Sequence, residues 1–100
     1  MKTTIHELAD KVVAILEGSL DTPAAAETEK AMSPLNDVEG KEIIIDCTDL
    51  AYISSAGLRI FLGILQNAQA KGGHVYITGI NDSVRAVFTI TGFSNIFEFK

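Results

Sequence analysis

Long apolar runs are missing from this chain. No stretch approaches the roughly 18 consecutive apolar residues that a membrane-crossing helix needs. The opening segment MKTTIHELAD has neither the basic segment nor the apolar core of a secretory signal. The expectation is a cytoplasmic protein without a membrane partner. Cysteine is nearly absent too: Cys47 stands alone, which excludes an internal disulfide and a cysteine-based zinc motif. It reads as a small buried side chain at a strand end. Basic residues are few and scattered, 8 against 13 acids for a formal charge of −5. Nucleic acid rewards clustered Lys and Arg, so direct nucleic-acid binding is not expected. An acidic surface is compatible with a protein partner that carries a basic face.

The usual catalytic signatures are also missing. There is no HExxH, CxxC, GxSxG or GxxxxGK[ST] motif, and no glycine-rich loop follows a strand in the dinucleotide-binding pattern. A serine nucleophile needs a base held against it. His6 and His74 lie far apart in alternating, strand-like contexts and read as solvated or edge residues. Asp46 and Asp49 could bind a metal ion, but the sequence offers no plausible third ligand. No enzymatic activity, cofactor or metal is expected.

What is present is a core. At 100 residues and 47% hydrophobic content, the chain suffices for one compact domain, residues 1–100, and is too short for two. Residues 3–8 alternate weakly and residues 11–17 (KVVAILE) form a nearly continuous apolar run closed by Gly18; together they predict an antiparallel hairpin. A helix follows, capped by Asp21 or Thr22 with Pro23 in its first turn, reaching about Leu35 with its end shortened by Pro34. Residues 41–47 (KEIIIDC) have the β-branched continuity of a central strand buried on both faces, with helices around it. Residues 56–70 predict a helix with Leu58, Phe61, Leu62, Leu65 and Ala68 on its core face, ending at Gly72-Gly73. A strand over 74–80, a short helix over 83–91 capped by Asn81 or Asp82, and a last strand over 96–99 complete the order. This order predicts one small α/β domain with a mixed, mostly parallel sheet, an antiparallel N-terminal hairpin strand and helices packed against it.

Chemistry gathers at the joint DCTDLAYISSAGLR, residues 46–59. In open α/β sheets functional groups collect beyond the carboxyl ends of parallel strands, where helices begin. Ser54 or Ser55 is suited to cap the helix. Two adjacent hydroxyls exceed what one cap needs, and Gly57 thins the chain so that another protein's backbone could approach. A phosphate on an exposed serine here would meet free N–H groups and the positive end of the helix dipole.

The segment from Asp46 to Leu58, with the earlier Gly18-Ser19-Leu20-Asp21 and the later Gly72-Gly73 and Thr91-Gly92-Phe93, resembles the STAS-domain anti-sigma factor antagonists over almost the whole chain. The most specific parts are the G-x-L-D turn and the D-x-[ST]-x-L…[DS]-S-x-G-L joint. The resemblance implies partner switching. The unmodified antagonist binds an anti-sigma factor, a serine kinase of the GHKL type, and frees a sigma factor; phosphorylation of one serine ends the binding, and a serine/threonine phosphatase restores it.

Aligned on Gly57-Leu58, the family's phosphoserine falls on Ser55. Its usual preceding aspartate falls on Ser54, a departure that removes one negative charge beside the phosphoacceptor. Asp21 matches the aspartate of the strand-to-helix turn near the phosphoacceptor, a residue that could cap a helix and also touch a partner. With Arg59 on the helix face opposite the core, beside Gly63 and Gln66, the expected partner surface is Asp21, Ser54, Ser55, Gly57 and Arg59. The same fold serves stressosome-like scaffolds and lipid-transport components, in which Ser55 would not be phosphorylated; a small hydrolase or ligand-binding protein using the same crevice is the reading from another class. Longer family members carry a further C-terminal helix, whereas this chain ends at Lys100, so one sheet face is expected to be less covered and the protein a monomer or weak homodimer.

Overall fold

In the computed structural model, which describes residues 1–100, alternation of Val12, Ala14 and Leu16 makes β2 (Lys11–Leu20), paired antiparallel with β1 (Lys2–Glu7). Helix α1 (Thr22–Met32) follows. Pro34 has no N–H to continue it, so, as expected, the α-helix is cut short, at Met32, and the chain passes Leu35 as a tighter 3₁₀ turn, Ser33–Asp37. β3 (Glu42–Ile53), α2 (Ser55–Ala70), β4 (His74–Thr78), α3 (Asp82–Thr91) and β5 (Glu98–Phe99) complete the chain. The five strands lie in the order β1-β2-β3-β4-β5, with every pair after the first parallel.

That order decides where the helices go. Each crossover advances one strand in the same direction, and a right-handed crossover then places its helix on the same face every time. Burial follows this logic. Val12, Ala14, Leu16, Ile43, Ile45, Cys47, Val75 and Ile77 are buried beneath the helices, while Val13, Ile15, Ile44 and Tyr76 on the opposite face are half-buried. β3 is therefore not buried on both faces as its unbroken apolar run suggests. Ile44 is apolar because it lies between Val13 and Tyr76 in register on the uncovered face, where neighbouring side chains shield one another.

The covered face is filled by α2 and an aromatic group around Phe88. Its ring meets Phe97 and Phe99 edge-on at centroid distances of 5.7 and 5.5 Å and lies 6.3 Å from Phe61. On α2 the core residues are Leu58, Ile60, Phe61, Ile64, Leu65 and Ala68 with Gly57. Leu62, expected inside, is half-buried, because the inward arc turns toward α1, against which Ile60 and Ile64 lie beside Met32.

Cys47 is fully buried within β3 rather than at its end, and its thiol faces the Ile45 carbonyl at 3.8 Å. Burial, with a smaller contribution from the Asp46 carboxylate, pushes the thiol up from 9.0 to about 12. Between those values the folded protein keeps this proton and the unfolded chain loses it, so the stability it contributes is complete below pH 9.0 and is lost as pH rises toward about 12. Two outcomes are expected. Thiol reagents leave Cys47 unmodified in the native protein and react once denaturant is added. Unfolding titrations at increasing alkaline pH show a smaller stability loss for Cys47→Ala than for wild type.

Candidate functional site: the paired helix starts beyond β2 and β3

β2 and β3 do not run in simple register. From the pair Ile15 and Asp46 to the pair Leu20 and Ile53, β2 advances five residues and β3 seven, with shifts between Ile15 and Glu17 and between Gly18 and Ser19. β3 thus carries two bulges, each turning its inward spacing from two residues to three: Ile43, Ile45, Cys47, then Leu50, then Ile53. At the first bulge, the Thr48 N–H and hydroxyl both donate to Asp46 Oδ1, at 3.0 and 2.7 Å. At the second, the Leu50 carbonyl accepts from Asn81 Nδ2 at 3.1 Å. On β2, Gly18 takes φ 108° opposite Leu50, a conformation that side-chain-bearing residues rarely adopt. The segment expected as a G-x-L-D turn is therefore the end of β2, paired with the bulged part of β3.

The extended ribbon brings two helix starts together. Leu20 lies opposite Ile53, and the Ser54 N–H donates to the Leu20 carbonyl at 2.8 Å. Asp21 and Ser54 are the next residues on the two strands, and each caps its helix. Asp21 Oδ1 accepts from the Ala24 N–H at 3.0 Å, and Ser54 Oγ accepts from the Gly57 N–H at 3.2 Å. Both helix N-termini, with their unsatisfied N–H groups and positive dipole ends, thus face the same edge of the domain.

The two serines divide their roles. Ser54 is 7% exposed and its hydroxyl is committed to the cap, whereas Ser55 is the first residue of α2 and is exposed. Gly57 is buried, and a Cβ there would stand 2.7 Å from Leu20 Cγ and 2.9 Å from Ile53 Cγ1. Its lack of a side chain therefore admits Leu20 and Ile53 of this chain; the expected approach of another protein's backbone at Gly57 has no room. Asp21 is half-buried at the rim. Arg59 lies one helical turn beyond Ser55, exposed, with no carboxylate within ion-pairing distance.

The structure adds residues that sequence reasoning missed. By ending the strand at Cys47, it left Asp49, Ala51 and Tyr52 in a connection. They are exposed positions on β3, and Tyr52, 47% exposed, lies opposite Ser19 at the mouth of the site. The signal was present in the widened apolar spacing after Cys47. His74 begins β4 opposite Glu42, and His6 pairs with Val13, so neither histidine is at the end of the sheet where Ser55 lies. The site offers a free hydroxyl, two helix N-termini, a cation and an exposed aromatic ring; it has the means to accept a modification and to dock, and no base aligned on a nucleophile.

These features define a small one-sided α/β domain whose exposed chemistry is gathered at paired helix starts. A family model for the STAS domain matches residues 2–100. BtrV of Bordetella bronchiseptica, named a candidate anti-sigma factor antagonist, is 31% identical over 97 residues, spanning 97% of this chain and 84% of that protein. The anti-sigma-B factor antagonist of Listeria monocytogenes is 29% identical over 91 residues, spanning 91% of this chain and 80% of that one. The solved anti-sigma factor antagonist SpoIIAA in its unphosphorylated form superposes with a TM-score of 0.74 at 20% identity, covering 99% of this chain and 87% of that chain. Bacillus SpoIIAA in its phosphorylated form gives 0.73 at 21%, covering 99% and 91%; at such identities the likeness concerns the fold. The chain belongs to the STAS domain family.

The division of labour at the joint is measurable by chemical denaturation. Ser54→Ala is expected to lose about 1 kcal/mol of stability with the cap, whereas Ser55→Ala stays within about 0.5 kcal/mol of wild type. Gly57→Ala, forced against Leu20 and Ile53, is expected to lose about 1–3 kcal/mol. Equal losses for the two serine variants would contradict the assignment of the cap to Ser54.

Proposed function

We propose that this protein is an anti-sigma factor antagonist. Its unphosphorylated form docks on an anti-sigma factor serine kinase of the GHKL type through the paired helix starts, freeing a sigma factor. Phosphorylation of Ser55 ends the complex, and a serine/threonine phosphatase restores it. The observation that carries this reading is the exposed Ser55 hydroxyl beside a Ser54 hydroxyl already used by the fold. The names of the Bordetella and Listeria relatives, and the existence of SpoIIAA in phosphorylated and unphosphorylated forms, support it.

In this reading Ser55, Asp21, Arg59 and Tyr52 face the partner, while Ser54 and Gly57 hold them in place. Ser54 stands where the resemblance expects an aspartate. Both residue types are good N-caps, so serine keeps the helix start and removes one charge next to the phosphoacceptor. A phosphate on Ser55 would sit at the positive end of α2, where an anion is favoured by about 0.3–1 kcal/mol, so the fold can hold it. The docked partner cannot, because it would exclude water from a dianion near the Asp21 carboxylate.

Incubation with purified GHKL anti-sigma kinases of the same organism and ATP, followed by phosphopeptide mapping, is expected to place the phosphate on Ser55. Ser55→Ala should incorporate none and Ser54→Ala should retain most of the label. Ser55→Asp should bind the kinase about tenfold to a hundredfold more weakly while its thermal transition stays near that of wild type. Label on Ser54, or a Ser55→Asp variant that binds normally, contradicts the proposal. Binding without phosphate transfer would favour a scaffold role of the stressosome type.

A further inference from the structure

Two glycines lie on α2, and the fold explains only one. Gly57 is required by Leu20 and Ile53, as described above. Gly63, in the middle of the helix, is half-buried, and a Cβ placed on it would meet nothing within 4 Å. Its backbone is not in the left-handed region, so neither packing nor conformation calls for glycine. A glycine in a helix interior weakens folding about fivefold relative to alanine. Nothing inside the domain compensates for that cost.

The surroundings of Gly63 say what does. It opens onto a groove of about 220 Å³ between α1 and α2. Met32, Ile60 and Ile64, all buried, lie along it. Asn36 and Asn67 border it and hydrogen-bond to each other at 2.8 Å. Arg59 stands on its α2 rim and Glu29 on its α1 rim, and neither has an ion-pair partner. Ser55, Arg59, Gly63 and Asn67 follow at four-residue intervals, so they form one stripe along the helix. The groove therefore opens on the same helix face as the exposed Ser55 hydroxyl, two turns further along α2.

We propose that the Gly63 notch is a specificity pocket of the same docking surface: it receives one apolar side chain of the anti-sigma factor, and a carboxylate one helical turn away on the partner meets Arg59. This inference rests on the antagonist reading and extends it to a second anchor point. An unpaired cation one turn from an apolar-floored notch is complementary to a segment carrying an acid and an apolar side chain about 5–6 Å apart. The glycine that weakens the helix keeps the pocket open.

The test separates stability from binding. Gly63→Ala, which adds a good helix former in open space, is expected to raise the melting temperature by about 4–8 °C. The same change begins to fill the notch, and Gly63→Leu fills it. Affinity for the purified kinase, measured by calorimetry on each variant, should fall modestly for Gly63→Ala and about tenfold or more for Gly63→Leu. Arg59→Glu should weaken binding by a similar factor and leave melting unchanged.

If Ser55→Asp disrupts the complex but Gly63→Leu binds as wild type does, the pocket is overturned and the antagonist reading stands. If wild type binds no anti-sigma factor of the organism, both fall. A wild-type self-association in sedimentation that Gly63→Leu abolishes would assign the groove to a second copy and overturn the proposal. A stabilised, binding-impaired Gly63→Ala supports it.

Discussion

Two extra residues in β3 hold the rest of this architecture together at the end that carries the candidate site. Without them Leu20 would pair with Ala51, and the start of α2 would lie two residues, roughly 6–7 Å, beyond the start of α1. With them, Leu20 pairs with Ile53 and the Ser54 N–H reaches the Leu20 carbonyl. The helix caps Asp21 and Ser54 become neighbours across the ribbon. Since two bulges add an even number of residues, the strand leaves with its original sidedness: Ile53 is inward as Cys47 is, and the residues between are turned outward in the exposed pairs Thr48 with Asp49 and Ala51 with Tyr52.

Bulges leave backbone groups without ladder partners, and buried orphans are costly. Here a side chain meets one backbone group at each bulge. Asp46 receives the Thr48 N–H and fixes its hydroxyl. Asn81 gives one amide hydrogen to the Leu50 carbonyl and uses its oxygen to cap α3 through the Val84 N–H at 2.8 Å. The residue after β4, Gly79, reaches the bulge closely: a Cβ there would strike the Thr48 side chain. Asp46, which reads in the sequence as a possible metal-binding pair with Asp49, instead clamps the bulge through Thr48, and no group of three metal-ligating side chains forms around it.

The sequence disclosed what was encoded locally. The three helices were legible because caps, proline and terminal glycine act within a few residues, with each cap narrowed to two adjacent residues; in the structure Asp21, Ser54 and Asn81 accept from the N–H three positions on. The mixed, mostly parallel sheet with its antiparallel N-terminal hairpin followed from alternation of strands and crossovers. The extent of β3 was not legible by a two-residue period, since the bulges replace it with a three-residue one. Sidedness was hidden as well, because Ile44 looks like a core residue whichever face it occupies, and only the pairing with Val13 and Tyr76 shows which. At the site, Ser55 and Ser54 stood out, but which one was free depended on the register of a ribbon that no local signal specifies. Gly57 and Gly63 look alike in the sequence; the first faces two side chains of its own chain and the second faces open space.

The separation of two adjacent hydroxyls would allow the proposed charge to be added without disturbing the fold. A phosphate on Ser54 would have to enter a position that is 7% exposed and replace the acceptor of the Gly57 N–H. It would then crowd the place where Gly57 already packs against Leu20 and Ile53, and its desolvation would be charged to the folded state. One residue later, the same group stands in solvent at the positive end of a helix that is held in place by Ser54, and its cost falls only on a surface laid against it. In the proposed reading the fold and the docking surface therefore share a helix start while using different oxygen atoms of it, so that the first would stay constant as the second changes.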